Sequence, residues 1–402
     1  MKKKTIISVV TLLSLGLGFL FGFVAPGFSL KIKFIGDWYI KLLKIIISPV
    51  IFVSMSLSVL NRQEKKTFLI IKTVGFFVLM FVVTFLMMSL VVYIFKPGVN
   101  FVVDTPSDTT SSADFTIKSI LRNLLPTDVE GFFLGKNIFF VIIVALLSSF
   151  IVSKTKGRIG YSKGLGYCKK VLDFVLQIII YLTPLGVLSL VSNMVVSYGS
   201  MIVTVGLKYI LFAYIGTILT IILIMVIPVW IIAKVNPITY IRKVAKVWLV
   251  SLSTCSSVAT LPYTIKCCNE DFGVDEKITD VVVPLGCTIH MCGGAVSFAL
   301  LGQFVAQMSG VNIGFGTYML MILFATLINM AAPGIPGGGV IIGLTYLSIL
   351  NLPINGFYGF YSGIYKILDM PYTTLNVTGD ISANILLSHF ENKKNEQEKK
   401  SV

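Results

Sequence analysis

Two apolar segments of the chain are interrupted in the middle. Segment 245–268 contains Ser251-Leu-Ser-Thr-Cys-Ser-Ser-Val-Ala-Thr-Leu-Pro262, and segment 316–350 contains Ala331-Ala-Pro-Gly-Ile-Pro-Gly-Gly-Gly339. A continuous membrane helix would gain nothing from these residues, because proline removes a hydrogen-bond donor and glycine loosens the backbone. The arms on either side have about 10 to 15 residues each, which cross only part of a hydrocarbon core about 30 Å thick. The pattern predicts two re-entrant helical hairpins with tips near the membrane midplane.

Composition indicates that the rest of the chain also lies in a membrane. Of the 402 residues, 55% are hydrophobic and only 13% are charged, and the mean hydropathy is +0.90. A soluble domain of this size could not bury so much apolar surface. Further apolar segments lie near 5–27, 38–60, 67–95, 137–153, 168–197, 203–232, 278–308 and 357–390. We therefore expect an all-α integral membrane protein with about eight transmembrane helices and two re-entrant hairpins.

The distribution of charge predicts the topology. The net charge is +15, but the basic residues lie between apolar segments and form no aromatic-interleaved surface, which argues against a nucleic-acid partner. Every second connection is basic, whereas the connection 98–115 contains three aspartates and no lysine or arginine. This is the positive-inside pattern of a multi-pass protein of the plasma membrane, or of a bacterial inner membrane, with both termini in the cytoplasm.

Two other features favour a membrane-embedded chain. Residues 1–27 resemble a signal peptide, but no A-x-A site follows and the apolar run continues, so we interpret them as an uncleaved first span. The six cysteines show no C-x-x-C spacing, and most lie in or beside apolar segments. We expect free thiols packed as small hydrophobic side chains.

The two interrupted segments are expected to enter the membrane from opposite faces. Segment 245–268 is bounded by Lys243, Lys246 and Lys266, which indicates entry from the cytoplasm, whereas the flanks of 316–350 are weakly charged. Non-helical backbone at midplane depth is tolerated only inside protein or beside a water-filled cavity. A pair of broken segments of this kind predicts an inverted-repeat transporter with a binding site at the midplane.

Segment 357–390 contains the polar residues expected at such a site. Asp369, Thr373, Asn376 and Asp380 stand at i, i+4, i+7 and i+11, which is one stripe of a helix. Each intramembrane carboxylate costs roughly 2.5 to 3.5 kcal/mol, so the stripe requires a cation, a substrate ammonium group or protons. An intramembrane aspartate can also be protonated or bonded between helices, the serines at 251–257 can simply cap a half-helix, and a packing role for His290 is equally compatible with the pattern.

Four runs resemble one known family. Residues 256–262, 284–291, 334–339 and 376–380 are similar, in order and spacing, to the first hairpin, seventh span, second hairpin and eighth span of the dicarboxylate/amino acid:cation symporters, also called the sodium:dicarboxylate symporter family. The resemblance covers 245–390, and residues 39–59 resemble the second span. It implies inverted repeats, a homotrimer and an elevator-type transporter rather than an enzyme.

The resemblance also implies a division of the chain. Segments 1–66 and 116–200, with spans 1, 2, 4 and 5, would form the scaffold. Segments 67–95 and 201–390, with spans 3 and 6 to 8 and both hairpins, would form the moving transport domain. Residues 391–402 would be a cytoplasmic tail.

Site residues follow from the same resemblance, position by position. Asp369 would bind the α-ammonium group of an amino acid, and Asn376 and Ser257 would hold its carboxylate. The implied substrate site comprises Ser256, Ser257, Gly334, Ile335, Pro336, Asp369, Tyr372, Thr373 and Asn376. The implied cation sites comprise Gly286, Thr288, His290, Met291, Asn376 and Asp380. Hard oxygen ligands suit sodium as the coupling ion, and no other cofactor is implied.

Several positions depart from the family pattern. Tyr372 stands where acidic-substrate members carry an arginine, and Gly294 replaces a hydroxyl, which favours a small neutral amino acid as substrate. Cys292 and His290 replace the aspartate and asparagine of a third, deep sodium site. With Lys96-Pro97-Gly98 aligned to the family's end of span three, the remaining ligand positions of that site are filled by Phe77, Met80 and Phe81. Apolar groups cannot replace ion-coordinating oxygens, so we expect that site to be absent.

Three alternatives remain open from the sequence. One is a proton-coupled or acidic-substrate member of the family, with Lys366 or another cation substituting for the lost arginine. Another is an intramembrane serine hydrolase that uses Ser256 or Ser257 with His290, although no G-x-S-x-G motif is present. The third is a sensor of the same fold that does not transport.

Overall fold

The structure is a computed structural model that describes residues 2–60, 67–99, 101, 138–330, 338–350, 352 and 356–400. Within these ranges the secondary structure is helical, with no β-strand. The expected all-α class is therefore confirmed for the described part of the chain. The connection 98–115 lies almost wholly outside the described ranges, as does the tip of the second predicted hairpin at 331–337.

The first half of the chain forms long apolar helices. Their bounds are α1 Lys2–Val24, α2 Pro26–Lys31, α3 Lys33–Leu60, α4 Thr67–Phe95, α5 Ile138–Ser153 and α6 Arg158–Tyr198. The chain breaks at Ala25, where Pro26 begins α2 at a position that needs no amide donor. Gly199 ends α6 with a positive φ of 57°, which favours glycine. These helices lie where the apolar segments predicted spans 1 to 5.

The second half alternates long and interrupted helices. Its elements are α7 Met201–Thr220 with a π-helical turn Ile221–Val226, α8 Ile227–Ala233, α9 Pro237–Thr254, α10 Ser257–Lys266 with a π-helical turn Cys267–Asp271, α11 Glu276–Ile289, α12 Cys292–Met308, α13 Phe315–Met330, α14 Gly338–Ile349 and α15 Gly356–Lys400. Side-chain caps fix two helix starts. Asn236 accepts from the amides of Ile238 and Thr239, and Asp275 accepts from that of Lys277.

Helices α9 and α10 form a hairpin at the first interrupted segment. The helix ends at Cys255, which has a left-handed φ of 47°, and Ser256 caps the next helix by accepting from the amide of Ala259 at 3.3 Å. Lys246 Nζ, in the middle of α9, lies 3.2 Å from Asp271 Oδ1, which ends the π-helical turn after α10, so the two arms pack side by side. Helices α13 and α14 likewise contact each other on either side of the second interruption.

Helices α11 and α12 form one helical segment that is interrupted between Ile289 and Cys292. His290 leaves the helical conformation with φ −100° and ψ 101°, and α12 begins at Cys292. The break places backbone of residues 290–293 against α15, which itself continues past Pro371 and packs against α7, α9, α11 and α12. The centre of the second half is therefore built around α15.

Three described helical stretches are long and apolar enough to cross a membrane by length and composition: Leu69–Phe95, Val203–Ala233 and Glu276–Met308. The number rises to five if two bent pairs each count as one span. These pairs are Val9–Val24 with Pro26–Leu42, bent by 118°, and Arg158–Ile179 with Tyr181–Ser197, bent by 42°. Large apolar side chains such as Trp38, Tyr93 and Leu249 are exposed on the outside. The count of eight spans stays a prediction.

All six cysteines lie in the described part of the chain and are free thiols. Cys168 on α6 is exposed, and the other five are buried. The expectation of unpaired thiols is thus confirmed, with Cys168 as the exception to packing in the interior.

Candidate functional site

A cavity of about 50 Å³ lies where hairpin α9–α10, the break between α11 and α12, helices α13 and α14, and helix α15 meet. It has room for roughly three to five water molecules at about 10 to 15 Å³ each. Six of the residues implied in substrate or cation binding line it: Ser257, Met291, Asp369, Tyr372, Thr373 and Asn376. The cavity is therefore the natural place for a small ligand among the described residues.

The predicted stripe on α15 supplies the polar wall. Asp369 and Asn376 are each 8% exposed and Thr373 is 4% exposed, and all three line the cavity. Thr373 Oγ1 donates to Asp369 Oδ1 at 3.4 Å. Asp380, the fourth member of the stripe, is 1% exposed and lies outside the cavity lining. The stripe thus divides into a cavity-lining part and a deeper carboxylate.

The backbone at the start of α12 lies close to α15. The amide of Gly293 donates to Asn376 Oδ1 at 2.8 Å. A Cβ at Gly293 would meet backbone and side-chain atoms of Tyr372. Glycine at 293 is therefore needed for α12 to reach α15, and this contact fixes the orientation of the Asn376 amide.

Hairpin α9–α10 contributes from the opposite side. Ser257, in the first turn of α10, is buried and lines the cavity, as does Cys255. Ser256 instead caps α10. The start of a helix presents free amides and a partial positive charge, which suits an anionic group such as a carboxylate. The geometry thus places an anion-favouring helix start and the Asp369 carboxylate on the same cavity.

The deeper carboxylate belongs to a separate buried cluster. His290 Nδ1 lies 2.8 Å from Asp380 Oδ1, and His290 Nε2 lies 3.0 Å from Cys292 Sγ. The ring of Phe77 stacks on the imidazole with centroids 4.3 Å apart. His290 is 1% exposed, so its side chain faces this cluster and not the cavity. The His290 imidazole is therefore within direct hydrogen-bond distance of one carboxylate oxygen of Asp380.

The contacts of His290 also bear on the hydrolase alternative. Both ring nitrogens are engaged, one by a carboxylate and one by a thiol. A serine base needs an imidazole nitrogen within hydrogen-bond reach of the hydroxyl. Neither Ser256 nor Ser257 has that contact, and the arrangement does not support nucleophilic catalysis.

The remaining implied cation ligands are spread around the same region. Gly286 lies against Asp380, since a Cβ at 286 would overlap its carboxylate, and the Gly286 carbonyl accepts from the His290 amide at 2.9 Å. Thr288 is exposed and donates to the Leu285 carbonyl at 2.8 Å. Gly334, Ile335 and Pro336 lie outside the described residues. Within the described part of the chain, no group of three His, Cys, Asp or Glu side chains could hold a metal ion.

Sequence reasoning missed several residues that line the cavity. They are Cys255, Gly293, Ser297, Phe298, Asn329, Gly339, Ile342 and Tyr365. Asn329 had one local signal, because it is a polar residue at the end of an apolar segment just before the glycine-rich interruption. Ser297 and Tyr365 had none, because only the packing of α12 against α15 brings them to the site.

Comparison with known proteins supports a transporter. The chain is 25% identical over 445 residues to an excitatory amino acid transporter of Caenorhabditis elegans, with 96% of this chain and 88% of that protein covered. It is 25% identical to an excitatory amino acid transporter of Onchocerca volvulus, with 96% and 90% covered. It is also 27% identical over 277 residues to the human neutral amino acid transporter A, with 68% of this chain and 51% of that protein covered.

These names describe transporters, which agrees at a coarse level with the expectation that the chain is not an enzyme. The model of the sodium:dicarboxylate symporter family matches residues 7–390. That match spans nearly the whole chain and includes every residue of the cavity. The chain belongs to the sodium:dicarboxylate symporter family.

Proposed function

We propose that the chain is a secondary active transporter that imports a small neutral amino acid by symport with a cation, most simply sodium. One observation carries the proposal: the stripe Asp369, Thr373 and Asn376 lines a cavity bounded by two interrupted hairpins. Family membership and the apolar helices make the chain a membrane protein. A buried carboxylate on the wall of such a cavity is suited to bind a substrate ammonium group.

The two charged ends of an amino acid match opposite walls of the cavity. Asp369 would receive the α-ammonium group, with Thr373 beside it. Ser257 at the start of α10 and the Asn376 amide would receive the α-carboxylate. The backbone of Gly334, Ile335 and Pro336 would complete this side when the second hairpin closes. Binding both ends through charged hydrogen bonds would orient the substrate side chain toward Tyr372 and α12.

A neutral substrate fits the lining of the cavity. The described lining residues include no lysine or arginine, and Tyr372 is present where a cationic partner for a second carboxylate would be needed. Transfer scales indicate that burying a carboxylate without a partner costs on the order of several kcal/mol. The substrate class is therefore proposed as small neutral amino acids.

Sodium coupling is proposed at two places. Asp380 with the carbonyls of Gly286, His290 and Asn376 would form one site, and Thr288 and Met291 with carbonyls of the second hairpin would form another. The contact between His290 and Asp380 leaves one carboxylate oxygen for the first site. Phe77 stacks on the His290 ring, and Met80 and Phe81 are also buried. None of the three side chains offers an oxygen ligand, which supports the expected absence of a third site.

An elevator-type movement is supported by how the helices group. Helices α1, α3, α5 and α6 pack with one another, whereas α4, α7 and α9 to α12 pack with α15. The groups meet where α15 crosses α6, at Gly359 and Gly363 against Leu190 and Val187. Glycines on this surface would reduce interlocking of side chains between a fixed scaffold, 1–66 and 116–200, and a moving transport domain, 67–95 and 201–390. A homotrimer in the plasma membrane, with cytoplasmic termini, is proposed from the family resemblance.

One observation favours a second candidate, an acidic substrate. The Lys366 ammonium group lies close to the Cys255 thiol at the edge of the cavity, and a cation there could pair with a second carboxylate.

Uptake of labelled amino acids into proteoliposomes, with sodium and proton gradients imposed separately, tests both candidates. Sodium-driven uptake of serine or alanine that aspartate does not inhibit supports the neutral class. Uptake of aspartate that is lost in Lys366→Met would support the alternative, and no uptake of any amino acid would refute both.

A further inference from the structure

We infer that Asn329 is a specificity-determining residue that selects substrates with a small uncharged side chain able to donate a hydrogen bond, such as a hydroxyl. This inference rests on the proposed function and narrows it, because it separates serine from alanine. Asn329 lies at the end of α13, next to the second interruption, and its side chain reaches the same cavity as Asp369.

The Asn329 side chain is buried with an unused acceptor. The residue is 2% exposed, and its Oδ1 atom has no hydrogen-bond partner within the described part of the chain. Buried amide oxygens are nearly always bonded in folded proteins. An unpartnered oxygen on the wall of a ligand cavity is therefore expected to bond to the ligand, and it can only accept.

Gly294 provides the space in which this oxygen lies. A Cβ on Gly294 would fall onto Asn329 Oδ1, well inside contact distance. Any other residue at 294 would therefore displace the Asn329 amide. The two positions form a matched pair from α12 and α13, and this pairing gives a physical reason for glycine at 294.

Tyr372 also lines this cavity. It is 3% exposed, and its hydroxyl lies beside the hydroxyls of Ser297 and Tyr209. A phenol hydroxyl both donates and accepts. The phenol can therefore meet its needs within the protein, and the Asn329 amide oxygen is the acceptor left for a substrate hydroxyl, which would donate to it.

Other substrate side chains fit this acceptor less well. A methyl group, as in alanine, leaves Asn329 Oδ1 unbonded. A carboxylate cannot donate to Oδ1 and brings negative charge against it. The cavity of about 50 Å³ favours a side chain of few atoms. A net hydrogen bond to a buried acceptor corresponds to roughly a tenfold preference for serine over alanine.

The experiment compares the dissociation constants of serine and alanine, measured by calorimetry on the purified full-length protein. We expect serine to bind about tenfold more tightly than alanine in the unmodified protein. In Asn329→Leu, which keeps the size of the side chain but removes the acceptor, the ratio should fall to within threefold of one. Thr326→Val, one turn earlier on α13 and outside the cavity lining, is the matched control and should keep the original ratio.

Every outcome bears on the inference. Equal binding of serine and alanine to the unmodified protein would overturn it without touching the proposed function. A serine preference that persists in Asn329→Leu would also overturn it. If Asn329→Leu does not fold, Asn329→Ala and the double variant Asn329→Ala/Gly294→Ser replace it. Asn329→Ala should lose the preference for serine over alanine. The double variant should destabilise the protein less than Gly294→Ser alone. Failure of any amino acid to bind would refute the proposed function instead.

Discussion

Replacement of Asp369 by asparagine tests the central contact of the proposed site. The change keeps the shape of the side chain and removes one negative charge from a residue that is 8% exposed and lines the cavity. If Asp369 receives the substrate ammonium group, the variant loses a charged hydrogen bond. Such bonds contribute about 1.5 to 3 kcal/mol, which corresponds to about ten- to hundredfold in the dissociation constant.

The assay is calorimetric titration of purified Asp369→Asn with serine, together with uptake in proteoliposomes. The elution volume on size exclusion should be unchanged, because an amide at 369 can still accept from Thr373. Asp280→Asn is a matched control, since Asp280 is exposed on α11, away from the cavity lining, and should bind serine normally. A dissociation constant for Asp369→Asn within threefold of the unmodified protein would show that Asp369 does not bind the ammonium group.

Three further predictions concern specificity, coupling and packing. Tyr372→Arg should raise the affinity for aspartate relative to serine at least tenfold in competition binding, because a guanidinium would pair with the second carboxylate. An unchanged ratio would contradict the assignment. Reversal potentials in proteoliposomes should give at most two sodium ions per substrate, because Phe77 and Cys292 cannot replace oxygen ligands, and a value of three would refute this. Gly293→Ala should destabilise the protein by about 1 to 3 kcal/mol through overpacking against Tyr372. Its melting temperature should fall, whereas Gly16→Ala, with open space around it, should leave it nearly unchanged.

Local sequence patterns were sufficient for the helices and for the first hairpin. The run 251–262 combines serines, a proline and small residues in an apolar segment, and the chain breaks within it at Cys255 and Ser256. The spacing of Asp369, Thr373 and Asn376 follows from helical periodicity alone, and the three residues share the cavity. These features depend on residues within one or two turns of each other.

Contacts between distant segments could not be read in the same way. The prediction that Asp380 forms part of a cation site did not include its pairing with His290, which is 90 positions away and meets it across two helices. Asn329 reaches Gly294 only because α12 and α13 pack together. Such pairs depend on tertiary packing, for which a single sequence carries no periodic signal.

The single exposed thiol on α6 has a practical consequence for spectroscopy. Because the other five cysteines are buried, a maleimide spin label applied to the native chain should attach at Cys168 without removal of any cysteine. Cys168 lies in the segment proposed as scaffold, so its label would stay fixed while the transport domain moves. In a threefold-symmetric assembly, labels at Cys168 would be related by the same axis, and dipolar spectroscopy would return one distance between every pair. A second label placed on α15 would then report the movement of the transport domain against a fixed reference.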